Sequence, residues 1–169
     1  MQRSLRELVE KDALTGLYNR RYGEKRLKQV QKDADSYGMP FCIAIGDIDY
    51  FKHVNDTYGH EWGDRVLTQI ARIMAERMRR EGYAARWGGE EFLLVFMDQG
   101  LHDAAETLRK LQNEIRDTEF TYNEKEKFRV TMTFGICESS GENTDELLRC
   151  ADNRLYAGKK GGRDRIIQE

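Results

Sequence analysis

The chain has 169 residues, 39% of them hydrophobic, enough for one well-buried core and too few for two comfortable domains. Its 28 lysines and arginines against 30 aspartates and glutamates leave a formal charge of -2, which excludes a global field that recruits nucleic acid or an anionic membrane surface. Three widely separated cysteines, Cys42, Cys137 and Cys150, lack the paired spacing of a structural zinc site or a disulfide framework and are expected to be reduced and mostly buried.

Residues 1–11 carry Leu5, Leu8 and Val9 at helical spacing among charges, the pattern of the end of an amphipathic helix. Residues 12–21 form a turn-rich connection, and the helix that follows through Leu27 and Val30 is stopped by Gly38 and Pro40. Residues 41–48 are short, apolar and β-prone, a buried strand that ends in two aspartates. Over residues 63–80, Val66, Leu67, Ile70, Ile73, Met74 and Met78 share one helical face. Residues 83–87 and 92–97 read as a hairpin, with Gly88 and Gly89 supplying the positive φ of a tight turn. Helices over 103–116 and 144–157, a long strand over 128–137 and a short one over 165–167 complete the pattern. Strands and helices interleave, which predicts an α+β fold with helices packed on a mixed, centrally antiparallel sheet. No apolar stretch reaches secretory or membrane-spanning length, so this segment is expected in the cytoplasm without direct membrane insertion, whether or not its parent protein is tethered to a membrane.

The chemistry concentrates in two places. Where the apolar strand emerges, Asp47 and Asp49 are separated by one residue and point to the same side, able to share a magnesium ion or to divide between metal binding and holding the loop. Alone, such a pair is more often a set of solvated loop acids. The second place is Gly88-Gly89-Glu90-Glu91, two consecutive acids on a hairpin tip whose glycines leave room for a bulky ligand. Glycine in a strand costs roughly 0.5 to 1 kcal/mol relative to alanine, so its use here points to turn geometry or to ligand approach.

The run Arg86-Trp87-Gly88-Gly89-Glu90-Glu91-Phe92 resembles the hallmark hairpin of the GGDEF domains, in a Glu variant. The resemblance extends over nearly the whole chain. It includes residues 12–21 (Asp-Ala-Leu-Thr-Gly-Leu-Tyr-Asn-Arg-Arg), residues 47–60 with Gly63-Asp64, and Lys159, Gly162 and Arg163 at the end of the last helix. It implies a palm-like domain, as in class III nucleotide cyclases and polymerases, occupying residues 12–169 behind a signalling or linker helix that ends at residue 11. The implied activity is that of a diguanylate cyclase, which condenses two GTP into cyclic di-GMP and releases two pyrophosphates. Asp47, the Ile48 carbonyl and Glu90 would hold Mg2+, with Mn2+ as a substitute. Asn55 and Asp64, with His60, would read guanine, because a carboxylate accepts from N1–H and N2–H while an amide both donates and accepts, a combination adenine does not match. Lys52, Lys159, Arg163 and the main-chain N–H groups of Tyr50 and Phe51 would meet the triphosphate. Glu90 and Glu91 are the expected catalytic acids, and Gly88 and Gly89 admit the substrate.

One half-site per subunit implies a homodimer for catalysis, with an upstream sensory or receiver domain in the parent protein. The sequence departs from the family at its product-inhibition motif, Arg-x-x-Asp. Arg79 keeps the arginine, but the aspartate position is Gly82, so weak or absent inhibition is expected. The main rival is a degenerate domain that binds nucleotide without turnover, against which stand the retained metal, guanine and phosphate residues.

Overall fold

The computed structural model describes residues 4–169; the first three residues of the expected N-terminal helix lie outside them. Ser4 caps α1 (Leu5–Glu10) in a reciprocal capping box with Glu7. Leu5, Leu8 and Val9 stay exposed on it. The Asn19 side chain accepts from the Tyr22 N–H to start α2 (Arg20–Tyr37), and Gly38 ends that helix in the left-handed conformation.

The strand β1 (Phe41–Ile48) is buried along its whole length. It leads into two helices, α3 (Phe51–Tyr58) and α4 (His60–Met78), which meet at Gly59 with φ of 91°. Only the second of these helices was legible in the sequence. Phe51, Val54 and Tyr58 fall at i, i+3 and i+7 on α3 and pack on the core, but eight residues are too short a run for that period to stand out. The hairpin follows as β2 (Gly82–Arg86) and β3 (Glu91–Met97), and then α5 (Leu101–Asp117).

The long strand expected over 128–137 divides. A separate hairpin of β4 (Phe120–Asn123) and β5 (Glu126–Phe128) precedes β6 (Met132–Glu138). Phe128 leaves the strand line because its ring stacks on Tyr58 and Phe120, with centroids 4.1 and 5.3 Å away. The chain closes with α6 (Thr144–Lys160), longer than expected at its basic end, and β7 (Ile166–Ile167).

The main sheet has the order β2-β3-β1-β6-β7, antiparallel except for the parallel β6–β7 pair. Alternation along β1 feeds two cores. Cys42, Ala44 and Ile48 pack with Val66, Ile70 and Met74 of α4 and Leu108 and Leu111 of α5. Phe41, Ile43 and Ile45 pack with Leu27 and Val30 of α2 and Leu147, Ala151 and Leu155 of α6. Helices therefore cover both faces, which is why β1 reads as a continuous apolar run rather than an alternating one.

The cysteines correct the expectation of three reduced thiols. Cys137 at the end of β6 and Cys150 on α6 form a disulfide, their Cα atoms 6.5 Å apart. The helix folds back across the strand it follows, and that return, not the spacing of 13, brings them together. Cys42 is free and buried, and burial pushes its thiol up to about 12. Among the described residues no helix is long and apolar enough to cross a membrane.

Candidate active site

The antiparallel register places Asp47 opposite Glu91, and the Ile48 N–H donates to the Glu90 carbonyl at 3.2 Å. The acids of the strand end and of the hairpin tip therefore share one edge of the sheet. Asp47 is 7% exposed, and Lys159 donates to its Oδ2 at 2.7 Å. Burial pushes the Asp47 carboxyl upward, the Lys159 ammonium pulls it back, and Glu90 and Asp49 add to the rise. Glu91 is also raised, first by burial and next by Asp47. Lys159, expected on a triphosphate, is thus the counter-charge of the aspartate. A carboxylate this far from water needs one.

Asp49 divides from Asp47. It is 4% exposed and accepts from Thr131 Oγ1 at 2.7 Å, Thr133 Oγ1 at 2.6 Å and the Asp164 N–H at 3.0 Å. Its oxygens are committed to joining β1, β6 and the turn after α6. Thr131 and Thr133 are functional supports that the sequence reading missed, since nothing in a local motif marks a partner more than eighty residues away.

The hairpin tip also departs from expectation, for neither Gly88 nor Gly89 has a positive φ. Trp87 and Gly88 N–H both donate to the Glu91 carbonyl, closing the turn without a left-handed residue. A Cβ on Gly89 would meet nothing within 4 Å, and one on Gly88 would meet only Glu91 at ordinary contact distance. Neither turn geometry nor internal packing accounts for the pair, which leaves room above the tip as its physical consequence. Arg86 holds the tip by donating from Nε and Nη2 to the Gly89 carbonyl at 3.2 and 2.8 Å. The same guanidinium pairs with Asp12 at 3.2 Å. Burial of Asp12 works against its charge, but donors from Thr15 and Arg86 outweigh it and hold the carboxyl below its usual range. Both residues lie in the recognised motifs, yet only the fold reveals their pairing.

Tyr50 caps α3 with φ of 55°, and Arg163, with φ of 63°, stacks its guanidinium over the Tyr50 ring at 4.9 Å. Phe51 and Lys52 occupy the first turn of α3, Lys52 exposed. Asn55 lies one turn further on and is half-buried, while His60 and Asp64 are exposed on the first turns of α4. The α3–α4 corner thus groups Asn55, His60 and Asp64 apart from the carboxylate edge, with Tyr50 to Lys52 leading from one to the other.

Among the described residues no three His, Cys, Asp or Glu side chains converge tightly enough to cage a metal by themselves. Asp47, Glu90 and the Ile48 carbonyl still fit a hard divalent cation. They are all oxygen donors at one edge, Asp47 there already attracts a cationic group in Lys159, and magnesium ordinarily keeps several waters or phosphate oxygens.

A mainly antiparallel sheet flanked by helices, with acids at the end of its central strand and on the adjoining hairpin, is a palm-like arrangement. The sequence model of the family described as "Diguanylate cyclase, GGDEF domain" matches residues 9–165, and the chain belongs to that family. Response regulator PleD of Caulobacter vibrioides is 36% identical over 164 residues, which cover 95% of this chain and 36% of PleD. Diguanylate cyclase DosC of Escherichia coli is 30% identical over 171 residues, covering 96% of this chain and 37% of DosC. The chain thus spans little more than a third of these relatives. Diguanylate cyclase SiaD of Pseudomonas aeruginosa, solved in complex with its activator SiaC, superposes with a TM-score of 0.91 at 37% identity, covering 98% of this chain and 64% of SiaD. The GGDEF domain of DgcB from Caulobacter crescentus, solved with c-di-GMP, gives 0.91 at 31% identity and covers 99% of this chain and 98% of that domain.

Proposed function

We propose that this domain, residues 12–169, is one half of a diguanylate cyclase: each subunit binds one GTP, and two subunits face each other to form cyclic di-GMP and release two pyrophosphates. The observation that carries the reading is the pairing of Asp47 with Glu91 across β1 and β3, with Lys159 on Asp47 and an open glycine tip beside Glu90. Asn55, Asp64 and His60 would bind the guanine. Tyr50 and Phe51 N–H, Lys52 and Arg163 would orient the triphosphate, and Lys159, already at the aspartate, would lie beside it.

Asp47, Glu90 and the Ile48 carbonyl would hold Mg2+, or Mn2+ in its place; when bound, the metal polarises the α-phosphate and acidifies the attacking hydroxyl. The 3′-hydroxyl of one GTP attacks the α-phosphorus of the other in line, the P–O bond to the pyrophosphate breaks, and the hydroxyl proton passes to a nearby carboxylate oxygen. Glu90 would ligate the metal and is the leading acceptor for the proton, with Glu91 orienting the hydroxyl. Residues 1–11 would serve as the linker to an upstream sensory or receiver domain whose dimerisation raises the effective concentration of the halves. The exposure of Leu5, Leu8 and Val9 on α1 supports that role.

The direct test is incubation of the concentrated chain with GTP and Mg2+, followed by product identification. Cyclic di-GMP and pyrophosphate are expected, with the initial rate per subunit rising with protein concentration. A rate independent of concentration under dissociating conditions would remove the two-subunit mechanism. Tight GTP binding without turnover, even when subunits are joined through a fused dimeric helix, would favour a regulatory binding module.

Product inhibition at Arg79 is expected to be weak or absent. Arg79 pairs with Glu76 at 3.4 Å, and Gly82 offers no carboxylate. A Cβ at Gly82 would also lie 1.9 Å from the Val95 carbonyl oxygen, so Gly82→Asp should disturb the start of β2 instead of creating the inhibitory site. Submicromolar cyclic di-GMP binding by calorimetry that Arg79→Ala abolishes would contradict this.

A further inference from the structure

Gly63 is buried in α4 with ordinary helical geometry, its N–H donating to the Gly59 carbonyl at 3.1 Å. No positive φ requires glycine there, and inside a helix glycine is a poorer choice than alanine. The reason lies across the corner. A Cβ on Gly63 would sit 1.9 Å from Asn55 Oδ1 and 3.0 Å from Asn55 Cγ, with Phe51 Cζ at 3.2 Å closing the remaining space. The main chain of α3 has little freedom to retreat, because the Asn55 carbonyl accepts from the Gly59 N–H at 2.9 Å and so ties the last turn of α3 to the start of α4. The amide of Asn55 is the part that would have to turn away.

We propose that Gly63 is a positioning residue for guanine recognition: its missing side chain lets the Asn55 amide lie flat against α4, immediately beside Asp64, so that the two groups present one edge to the base. Gly23 and Gly135 make room for Ala85 and the Ala151 carbonyl, and Gly100, Gly161 and Gly162 lie against the side chains of Glu138 and Arg165, away from the α3–α4 corner. Gly63 makes room for a polar side chain on the ligand-facing corner. The inference rests on the assignment of Asn55 and Asp64 to the guanine base.

The test measures binding of α,β-methylene GTP, which cannot release pyrophosphate, and of α,β-methylene ATP to the parent chain and to Gly63→Ala, Asn55→Ala and the double variant. Gly63→Ala is expected to weaken the GTP analogue about tenfold or more, the scale of one lost base contact, and to leave the ATP analogue unchanged. In turnover the loss should fall on KM rather than kcat. The double variant should bind no worse than Asn55→Ala, since the clash then has no partner. Parent-like GTP-analogue binding by Gly63→Ala, or independent losses that multiply in the double variant, would overturn the proposal. If Gly63→Ala does not fold, recovery of folding in the double variant upholds the clash and failure to recover refutes it. Parent-like binding by Asn55→Ala would instead remove the guanine assignment, and the inference with it.

Discussion

Glu90→Gln is expected to lower cyclic di-GMP formation at saturating GTP by about a hundredfold or more, the usual consequence of removing a central charge-stabilising group, and Asp47→Asn to do likewise. Neither change should unfold the domain. Glu90 is joined to β1 through its main-chain carbonyl, which glutamine retains. Asp47 bears a charge that burial disfavours, so asparagine relieves a cost of the metal-free fold. Its partner Lys159 keeps 31% side-chain exposure and can be hydrated when released. Thermal unfolding of Asp47→Asn without metal should therefore match or exceed the parent. The further stabilisation that Mg2+ and GTP confer on the parent should disappear. Retained turnover in either variant would remove the carboxylate edge from the mechanism.

Asp49→Ala should behave in the opposite way, lowering stability by about 2–3 kcal/mol because it strands the buried Thr133 hydroxyl and removes the acceptor shared by the half-buried Thr131 hydroxyl and the Asp164 N–H. Thr133 is fully buried, and its hydroxyl is held between Asp49 and the Asp164 N–H, so the loss extends from β1 through β6 to the turn after α6. Urea unfolding measures the effect. Adding Thr133→Val should cost less than the sum of the two single changes, since the two side chains share one network. A loss below about 1 kcal/mol would show that Asp49 is no anchor. Together the two experiments separate aspartates two positions apart: one should cost activity with little stability, the other stability first.

The legibility of each feature follows from the distance over which it is decided. The bounds of β1 are local, because a short apolar run ending in polar residues suits a strand buried on both faces. The amphipathic stripe of α4 is equally local. Asp47, Asn55, Asp64 and Glu90 could be named because their motifs are contiguous or nearly so. By contrast, α3 is too short for its stripe of Phe51, Val54 and Tyr58 to declare itself, and Phe128 belongs to β5 rather than β6 beside aromatic partners, Tyr58 and Phe120, that lie outside that strand. Gly88 and Gly89 suggested positive φ, while the fold closes the turn through paired donors to the Glu91 carbonyl.

By itself, then, the sequence determined the family, the alternation of helices and strands, and which acids, amides and cations are available for chemistry. Periodicity and contiguous motifs carry that much, because they depend on neighbours within a few positions. Only the tertiary structure decided that Asp47 meets Lys159 while Asp49 is bound by two threonines, that Cys137 and Cys150 pair, and that Gly63 shelters the Asn55 amide. Those assignments depend on how sheet register and helix return bring distant side chains together, and burial then forces each polar group to take the partner that packing places beside it.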